Sequence, residues 1–511
     1  MKCSITFVVA SAGLLTSVGA SVLQDVPAGF PTVSMPIGKP EVHVMLKRSP
    51  LNGLHKRAIE DSLHPIVRNY NATFSHAFEG SDAQHDETLG KYYRVQADGV
   101  HHDALVEDFR RHDQVETAYV MPQHVIPDAE YTEAFKRTIK IKRSKRSSDA
   151  TAATPDLRSR QNNGLYAGND KGGMNVNYAA SLKGGKGDGV EIFHVESNWL
   201  HTHEDLQGNM RYVGFDGVVG THATGASGVM GADDNNFGYT GIAPNSRLTA
   251  RTLYFSQDNA NKGAQDFNGA INWAIDNGKA GDVIVMIINL VLADDNVAGP
   301  LEWFPVYYDL IQKATNKGMI FVQPSGNEGA DLGGPNYQDN VRAQKFGAAT
   351  AAKYRNPFNP SNPNPGTIVV GARNPPGNIL TPHARTSFSN YGGRLNVATW
   401  GRNVQTTCAE PACNVYHNGA NSCYMDYYTG TSASAAVIGG VVASIQGAVL
   451  GAGRKPLNAK DFQDLFADAS LGIPQASDTA NGWLSDQKVG SQPDLGYMIP
   501  AAIKMSQARH G

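Results

Sequence analysis

Tyr428-Thr429-Gly430-Thr431-Ser432-Ala433-Ser434-Ala435-Ala436, followed by VIGGVVASIQGAVL (437–450), is the stretch on which the fold is read. Its apolar, Gly- and Ala-rich pattern predicts a buried helix with Ser432 at its mouth. A helix N-terminus aims backbone N–H groups and the positive end of its dipole at nearby negative charge. A serine there suits a nucleophile whose attack creates an oxyanion. It still needs a base, a carboxylate to hold that base and a second oxyanion donor.

The bulk properties narrow the setting. A chain of 511 residues has room for more than one domain and a large core. Its net charge of −3 supplies no electrostatic drive toward nucleic acid. Lys2, the apolar run 5–15 and Val18-Gly19-Ala20 form a secretory signal pattern over 1–20. That run is too short to span a bilayer, and no later segment reads as a membrane span. The expectation is a secreted monomer without nucleic-acid or membrane partners. Outside the cell, Cys408, Cys413 and Cys423 allow one disulfide in three possible pairings. Zinc is a weaker reading of the three, because no fourth ligand has suitable spacing.

Three regions follow the signal. Residues 39–129 carry a small α+β pattern. VHVML, YYRVQ and VETAYVM read as strands and 103–111 as an amphipathic helix. Asn71-Ala72-Thr73 is a glycosylation sequon. Residues 130–160 are basic, then polar, and read as an exposed linker. Within it Arg143-Ser144-Lys145-Arg146 is a dibasic site, with Arg146 as the processing point. Residues 161–511 alternate short β-rich runs (VEIFHV, VIVMIIN, MIFVQPS, TIVVGA) with helical stretches (AINWAIDNG, 307–317). That alternation predicts an α/β domain, a mostly parallel sheet with helices on both faces. Functional groups belong at the carboxyl ends of its strands.

Three strand ends supply the missing chemistry. Glu196 ends GVEIFHVES, His222 lies in GTHATGASGVMGA, and Asn327 lies in FVQPSGNEG. The order Glu196, His222, Asn327, Ser432 resembles the subtilisin-like serine proteases. The segments that carry the likeness are VESNWLHTHEDL, GTHATGASG, NNFGYTGIAPNSRL, AINWAIDNG, IINLVL, SGNEG, TIVVGARN, TSFSNYGG and GTSASAA. They cover nearly all of 189–450. The resemblance implies Ser432 as nucleophile, His222 as general base and Asn327 as side-chain oxyanion donor. It implies that Val291-Leu292-Ala293 and Pro324-Ser325-Gly326 line the cleft and pair with an extended polypeptide substrate. It also implies that 39–129 is a propeptide, chaperone and intramolecular inhibitor of a zymogen.

The chain departs from the family pattern in places. The third triad member is normally aspartate, and Glu196 stands there. The downstream His203-Glu204-Asp205-Leu206 resembles the family's His-Pro-Asp-Leu and sets this register. Glutamate carries the same charge one methylene further out and can orient an imidazolium. Ala436 replaces a proline, and Val291, Ala293 and Pro324 replace smaller cleft residues. The motif around Ser432 also resembles the sedolisins, acid peptidases with an aspartate where Asn327 stands and no GTHATG histidine. A subtilase scaffold kept for binding alone is a further alternative. No cofactor is required by this reading. Calcium at Asp205 and Asn235 is possible by likeness to some subtilases, since oxygen ligands suit it.

Overall fold

The computed structural model describes residues 35–126 and 153–510, apart from 38, 51–52, 98–101, 163, 169–170, 216–218, 263–264, 293–296, 377–381 and 478–486. The signal pattern at 1–20, Ala293, Arg146 and most of the basic linker lie outside the described residues.

The N-terminal region has strands β1 (Met35–Ile37), β2 (Glu41–Leu46), β3 (Thr73–His76), β4 (Tyr92–Gln96), β5 (Val115–Met121) and β6 (His124–Ile126). Helices α1 (Gly53–Asn69) and α2 (His102–Arg110) accompany them. The sheet runs β3-β4-β2-β5, antiparallel throughout. Leu63 and Val67 of α1 and Leu105 and Phe109 of α2 pack with Val42, Val44 and Val95 to form its core. The three expected strands and the α2 helix are present. Helix α1 was not expected, because Pro65 interrupts its pattern.

The larger region is a seven-stranded, all-parallel sheet. Its strands are β7 (Glu191–Glu196), β8 (Met210–Val213), β9 (Arg247–Thr252), β10 (Val283–Val285), β13 (Ile320–Pro324), β14 (Ile368–Arg373) and β15 (Val397–Trp400). Between β10 and β13 lie two short strands of a separate sheet, β11 (Asn289–Val291) and β12 (Ala298–Gly299). The parallel order is β15-β14-β13-β10-β7-β9-β8. One apolar cluster gathers Ile192, Val283, Val285, Val322 and Val370 with the helix Thr431–Gly451. Another gathers Phe193, Ile284 and Phe321 with the helices Phe267–Asn277 and Pro305–Asn316. Alternate residues of the same strands thus feed cores on both faces, as a doubly covered parallel sheet requires.

The helix Thr431–Gly451 is the spine of this domain. By length and apolarity it could cross a membrane, which corrects the expectation that no later segment has that character. It runs instead through the protein interior, almost wholly buried. Ser434 Oγ donates to Gly371 O at 2.6 Å and accepts from Thr399 N at 3.0 Å, tying the helix to β14 and β15. The strands β16 (Val404–Thr407), β17 (Tyr416–His417) and β18 (Cys423–Tyr428) form a small antiparallel sheet leading directly into it.

That sheet carries the cysteines. The pairing that sequence left open is Cys413–Cys423. Cys408 lies buried, its Sγ 2.9 Å from Cys423 Sγ. The disulfide takes two of the three sulfurs away from any zinc site.

Two further contacts join the regions. The order β1-β6-β11-β12 makes one antiparallel sheet with strands from both regions, with Asn289 opposite Val125 and Leu290 opposite His124. The Asp309 carboxylate accepts hydrogen bonds from Tyr92 Oη at 2.7 Å and Tyr354 Oη at 2.8 Å, with Lys91 Nζ at 3.7 Å. Replacing Ser434 with alanine removes a donor and an acceptor between buried backbone groups. It is expected to cost about 1–3 kcal/mol, read as a lower denaturant midpoint at constant slope. An unchanged midpoint would show that the tether contributes nothing.

Candidate active site

Strand β7 ends at Glu196, whose side chain is fully buried. Its Oε1 lies 2.7 Å from His222 Nδ1 and its Oε2 lies 3.1 Å from His194 Nε2. Burial alone would raise the carboxyl. The charges and hydrogen bonds of His222 and His194 outweigh it and hold Glu196 below the usual carboxylate range. Glu196 is therefore an anion at neutral pH with an imidazole on each oxygen.

His222 is the second residue of the helix Thr221–Gly231, an entirely buried run of small residues. Those small residues let the β16–β18 sheet approach closely. Thr406 Oγ1 donates to Gly225 O at 2.6 Å and Thr407 Oγ1 to Thr224 O at 2.9 Å. Tyr428 Oη donates to His222 O at 3.2 Å. Four residues later in the chain comes Ser432, the second residue of its own helix and fully buried. Its N–H is among the first four of the helix, which have no intrahelical acceptor.

Asn327 follows β13. Its Oδ1 accepts from both the backbone N and the Oγ1 of Thr431, each at 2.9 Å. An amide has one oxygen and one NH2, so this double contact fixes Nδ2 as the donor end. The neighbouring loop is held by Asn390. Its Nδ2 donates to Ala298 O and Ser325 O at 2.8 Å, and its Oδ1 accepts from Glu328 N and Ala330 N. Gly326 has φ +106°, and a Cβ there would fall 2.2 Å from Ala298 O, so only glycine fits.

Of the expected cleft residues, Val291 is half-buried, while Leu292, Pro324, Ser325 and Gly326 are buried. Asn289 and Leu290, just before Val291, are paired with β6. Asn71 is exposed, at φ +49° between α1 and β3.

The calcium reading does not fit these residues. Asp205 Oδ1 accepts from Asn235 Nδ2 at 2.7 Å and Oδ2 from Tyr239 N at 2.9 Å. Asn235 Oδ1 in turn accepts from Phe237 N at 2.9 Å, which fixes the amide with its nitrogen toward Asp205. Burial pushes the Asp205 carboxyl up to about 8. Each oxygen already accepts from a protein donor, and the facing amide presents nitrogen, which is not a calcium ligand, rather than oxygen.

His194, Ser227, Trp199, Thr431 and Asn390 were not singled out from sequence. His194 had a usable signal, since residues two apart on a strand share a face and Glu196 is its i+2 neighbour.

The Subtilase family model matches residues 173–486, and the chain belongs to that family. It is 28% identical over 236 residues to an alkaline protease of Alkalihalobacillus alcalophilus, covering 45% of this chain and 50% of that protein. It is 27% identical over 236 residues to Subtilisin Savinase of Lederbergia lenta, covering 45% of this chain and 70% of that protein. The match thus spans about half the length of the alkaline protease. Among solved structures the chain is similar to fervidolysin from Fervidobacterium pennivorans, described as a keratinolytic enzyme related to subtilisin. The TM-score is 0.53 at 14% identity, over 92% of this chain and 61% of that one, a likeness of fold.

Because Asp205 and Asn235 satisfy each other, a chelator is expected to leave the melting temperature unchanged. A fall of several degrees in chelator, reversed by calcium, would contradict that.

Proposed function

We propose that the chain is a secreted serine endopeptidase, made as a zymogen, that cuts polypeptides through Ser432, His222 and Glu196. The 2.7 Å contact of His222 Nδ1 with Glu196 Oε1 carries the reading. With Nδ1–H donated to the carboxylate, Nε2 is left as the basic nitrogen. In this reading Nε2 takes the Ser432 proton as Oγ attacks the scissile carbonyl, then returns it to the leaving amine. Asn327 Nδ2 and the Ser432 N–H receive the oxyanion. Glu196 stays ionised throughout and stabilises the imidazolium. An amide at Asn327, rather than a carboxyl, and a histidine at 222 support this chemistry over an acid peptidase.

The N-terminal region is read as the inhibitor. Strand β6 pairs with Asn289 and Leu290, directly before the Val291-Leu292-Ala293 segment that the resemblance assigns to substrate, and this supports an intramolecular block. Export by 1–20 and cleavage after Arg146 complete the proposal, and the exposed Asn71 suits glycosylation. N-terminal sequencing of wild type and Ser432→Ala separates processing by another protease, which leaves the same terminus in both, from self-cleavage.

Two outcomes test the reading. A fluorophosphonate is expected to label Ser432 of the matured protein, and Ser432→Ala to lose labelling and hydrolysis of denatured protein. Absence of labelling in the matured wild type would refute the reading. Asn327→Ala should lower kcat about 10²–10³-fold with little change in KM, a figure that comes from a subtilisin.

The docked N-terminal region also gives a pH dependence. His124 is buried, stacked on Phe267 with ring centroids 3.4 Å apart, and 2.6 Å from Tyr307 Oη. Burial lowers its pKa to about 3, with Glu41 opposing and His43 reinforcing the shift. Undocking therefore takes up a proton below the ordinary histidine value of about 6.5. Docking is strongest above that value and weakens as pH falls from about 6.5 toward about 3. In Ser432→Ala protein nicked in the linker, the N-terminal fragment should stay bound at pH 8 and dissociate more readily at pH 5. His124→Phe should flatten this dependence. Equal retention at both pH values in the His124 protein would contradict it.

A further inference from the structure

We infer that Trp199, Ser227 and His194 are positioning residues that make a glutamate competent at position 196. The inference rests on the triad proposed above and names what that triad requires.

The direction of the hydrogen-bond chain follows from its two ends, a carboxylate that can only accept and an indole N–H that can only donate. The Glu196 carboxylate accepts, so His194 carries a proton on Nε2 and donates it to Oε2 at 3.1 Å. His222 donates Nδ1–H to the other oxygen at 2.7 Å. In the neutral imidazole His194 Nδ1 is then an acceptor, and Ser227 Oγ, 3.0 Å away, donates to it. Ser227 Oγ in turn accepts from Trp199 Nε1 at 3.0 Å. The carboxylate thus fixes the facing proton on both imidazoles, and Ser227 and Trp199 satisfy the far nitrogen of His194. Trp199, His194, Ser227 and Glu196 are all at 2% exposure or less, so water does not compete. The indole also packs edge-on against the His194 ring, centroids 5.2 Å apart.

The chain matters because glutamate has one more rotatable bond than aspartate. An unanchored glutamate would spread its carboxylate over several rotamers, and pinning Oε2 removes that freedom. The remaining oxygen points at His222. An aspartate on the same backbone would end roughly 1.5 Å short, one C–C bond, and could not keep both imidazoles. Residues 194 and 196 share a face of β7, and 222 and 227 share one helix. One strand and one helix therefore build the whole arrangement, with Trp199 from the loop between them.

The test compares His194→Phe, His194→Gln, Ser227→Ala and Glu196→Asp in the matured full-length protein. Readouts are kcat per site titrated with fluorophosphonate, KM, and the acid limb of kcat/KM against pH. His194→Phe is expected to lower kcat about 10- to 100-fold, by analogy with the loss of a partner that orients a metal ligand. KM should stay within twofold. The acid limb should move to higher pH, because the carboxylate then shares its charge with His222 alone. His194→Gln restores a donor at similar reach and should recover most of the loss. Glu196→Asp should cost more in the wild-type background than in His194→Phe. Ser227→Ala, the smallest change, serves if His194→Phe does not fold, and should shift the limb the same way. Wild-type kcat per site with an unmoved or lowered limb would overturn the inference, as would His194→Gln no better than His194→Phe. If wild type itself does not label at Ser432, the triad reading fails. If wild type labels and the His194 variants match it, only this inference fails.

Discussion

A carboxylate with no access to water must be paired on every oxygen or it will not stay charged. Glu196 is in that position. Removing such an ion from water costs several kcal/mol, and one good partner does not offset that. The structure answers with two imidazoles, one from the same strand and one from the helix Thr221–Gly231. That constraint propagates outward. The helix has to approach the end of β7 closely, so it is built from small residues. The β16–β18 sheet then has to press on its other side, and a Cβ on Gly228 would fall 2.2 Å from Thr407 Oγ1. Since β18 runs directly into the helix that carries Ser432, the place of that serine is set by the same packing.

A second constraint ties Ser432 to the end of a different strand, and Asn327 and Thr431 supply it together. The Asn327 amide oxygen takes both donors of the residue next to Ser432, so that amide and Ser432 move as one unit. The long helix behind Ser432 gives that unit a rigid base. Gly439 sits where a Cβ would fall 2.7 Å from Val285 Cγ2, and Gly440 where one would fall 2.8 Å from Ile242 Cβ. Its small residues serve close approach to the sheet, which is why its composition imitates a membrane span.

Much of this was legible from sequence, for a physical reason. Strands buried on both faces read as mainly apolar runs, as VIV of β10, IFV of β13 and IVVGA of β14 do, while β7 keeps the apolar pair Ile192-Phe193 and Val195 between its polar residues. Strand β9 lacks such a run. RLTART alternates polar residues, and its buried Arg251 donates from Nη1 to the carbonyls of Val213 and Thr252 and stacks on Phe255. Strand β8, at the sheet edge and partly exposed, carries no strong pattern either. Glu196, His222, Asn327 and Ser432, the four residues of the proposed site, stood out in the sequence because each sits in a distinctive small-residue setting. Their supports did not, because a histidine, a serine and a tryptophan scattered over 33 positions acquire meaning only when strand and helix meet. Asp205 misled in the opposite direction. An oxygen-rich loop suggests a cation, but sequence does not show the backbone and amide donors already turned toward it.

The N-terminal region poses a last question of competition. Strand β11 has β12 on one edge and β6 on the other, so both of its hydrogen-bonding edges are filled. An extended peptide binding there by strand addition needs the edge that β6 holds. β6 is tethered to the same chain, so its effective concentration far exceeds that of a free peptide. Elsewhere between the regions lie the Tyr92–Asp309–Tyr354 cluster and the edge-on packing of Tyr119 on Phe346, ring centroids 5.0 Å apart. On the proposed reading a substrate has to compete with that combination, and cutting the tether removes the concentration term while the buried contacts stay. A second event that weakens the interface is then required, and His124, buried there as the neutral imidazole, is a group whose charge the solution pH changes.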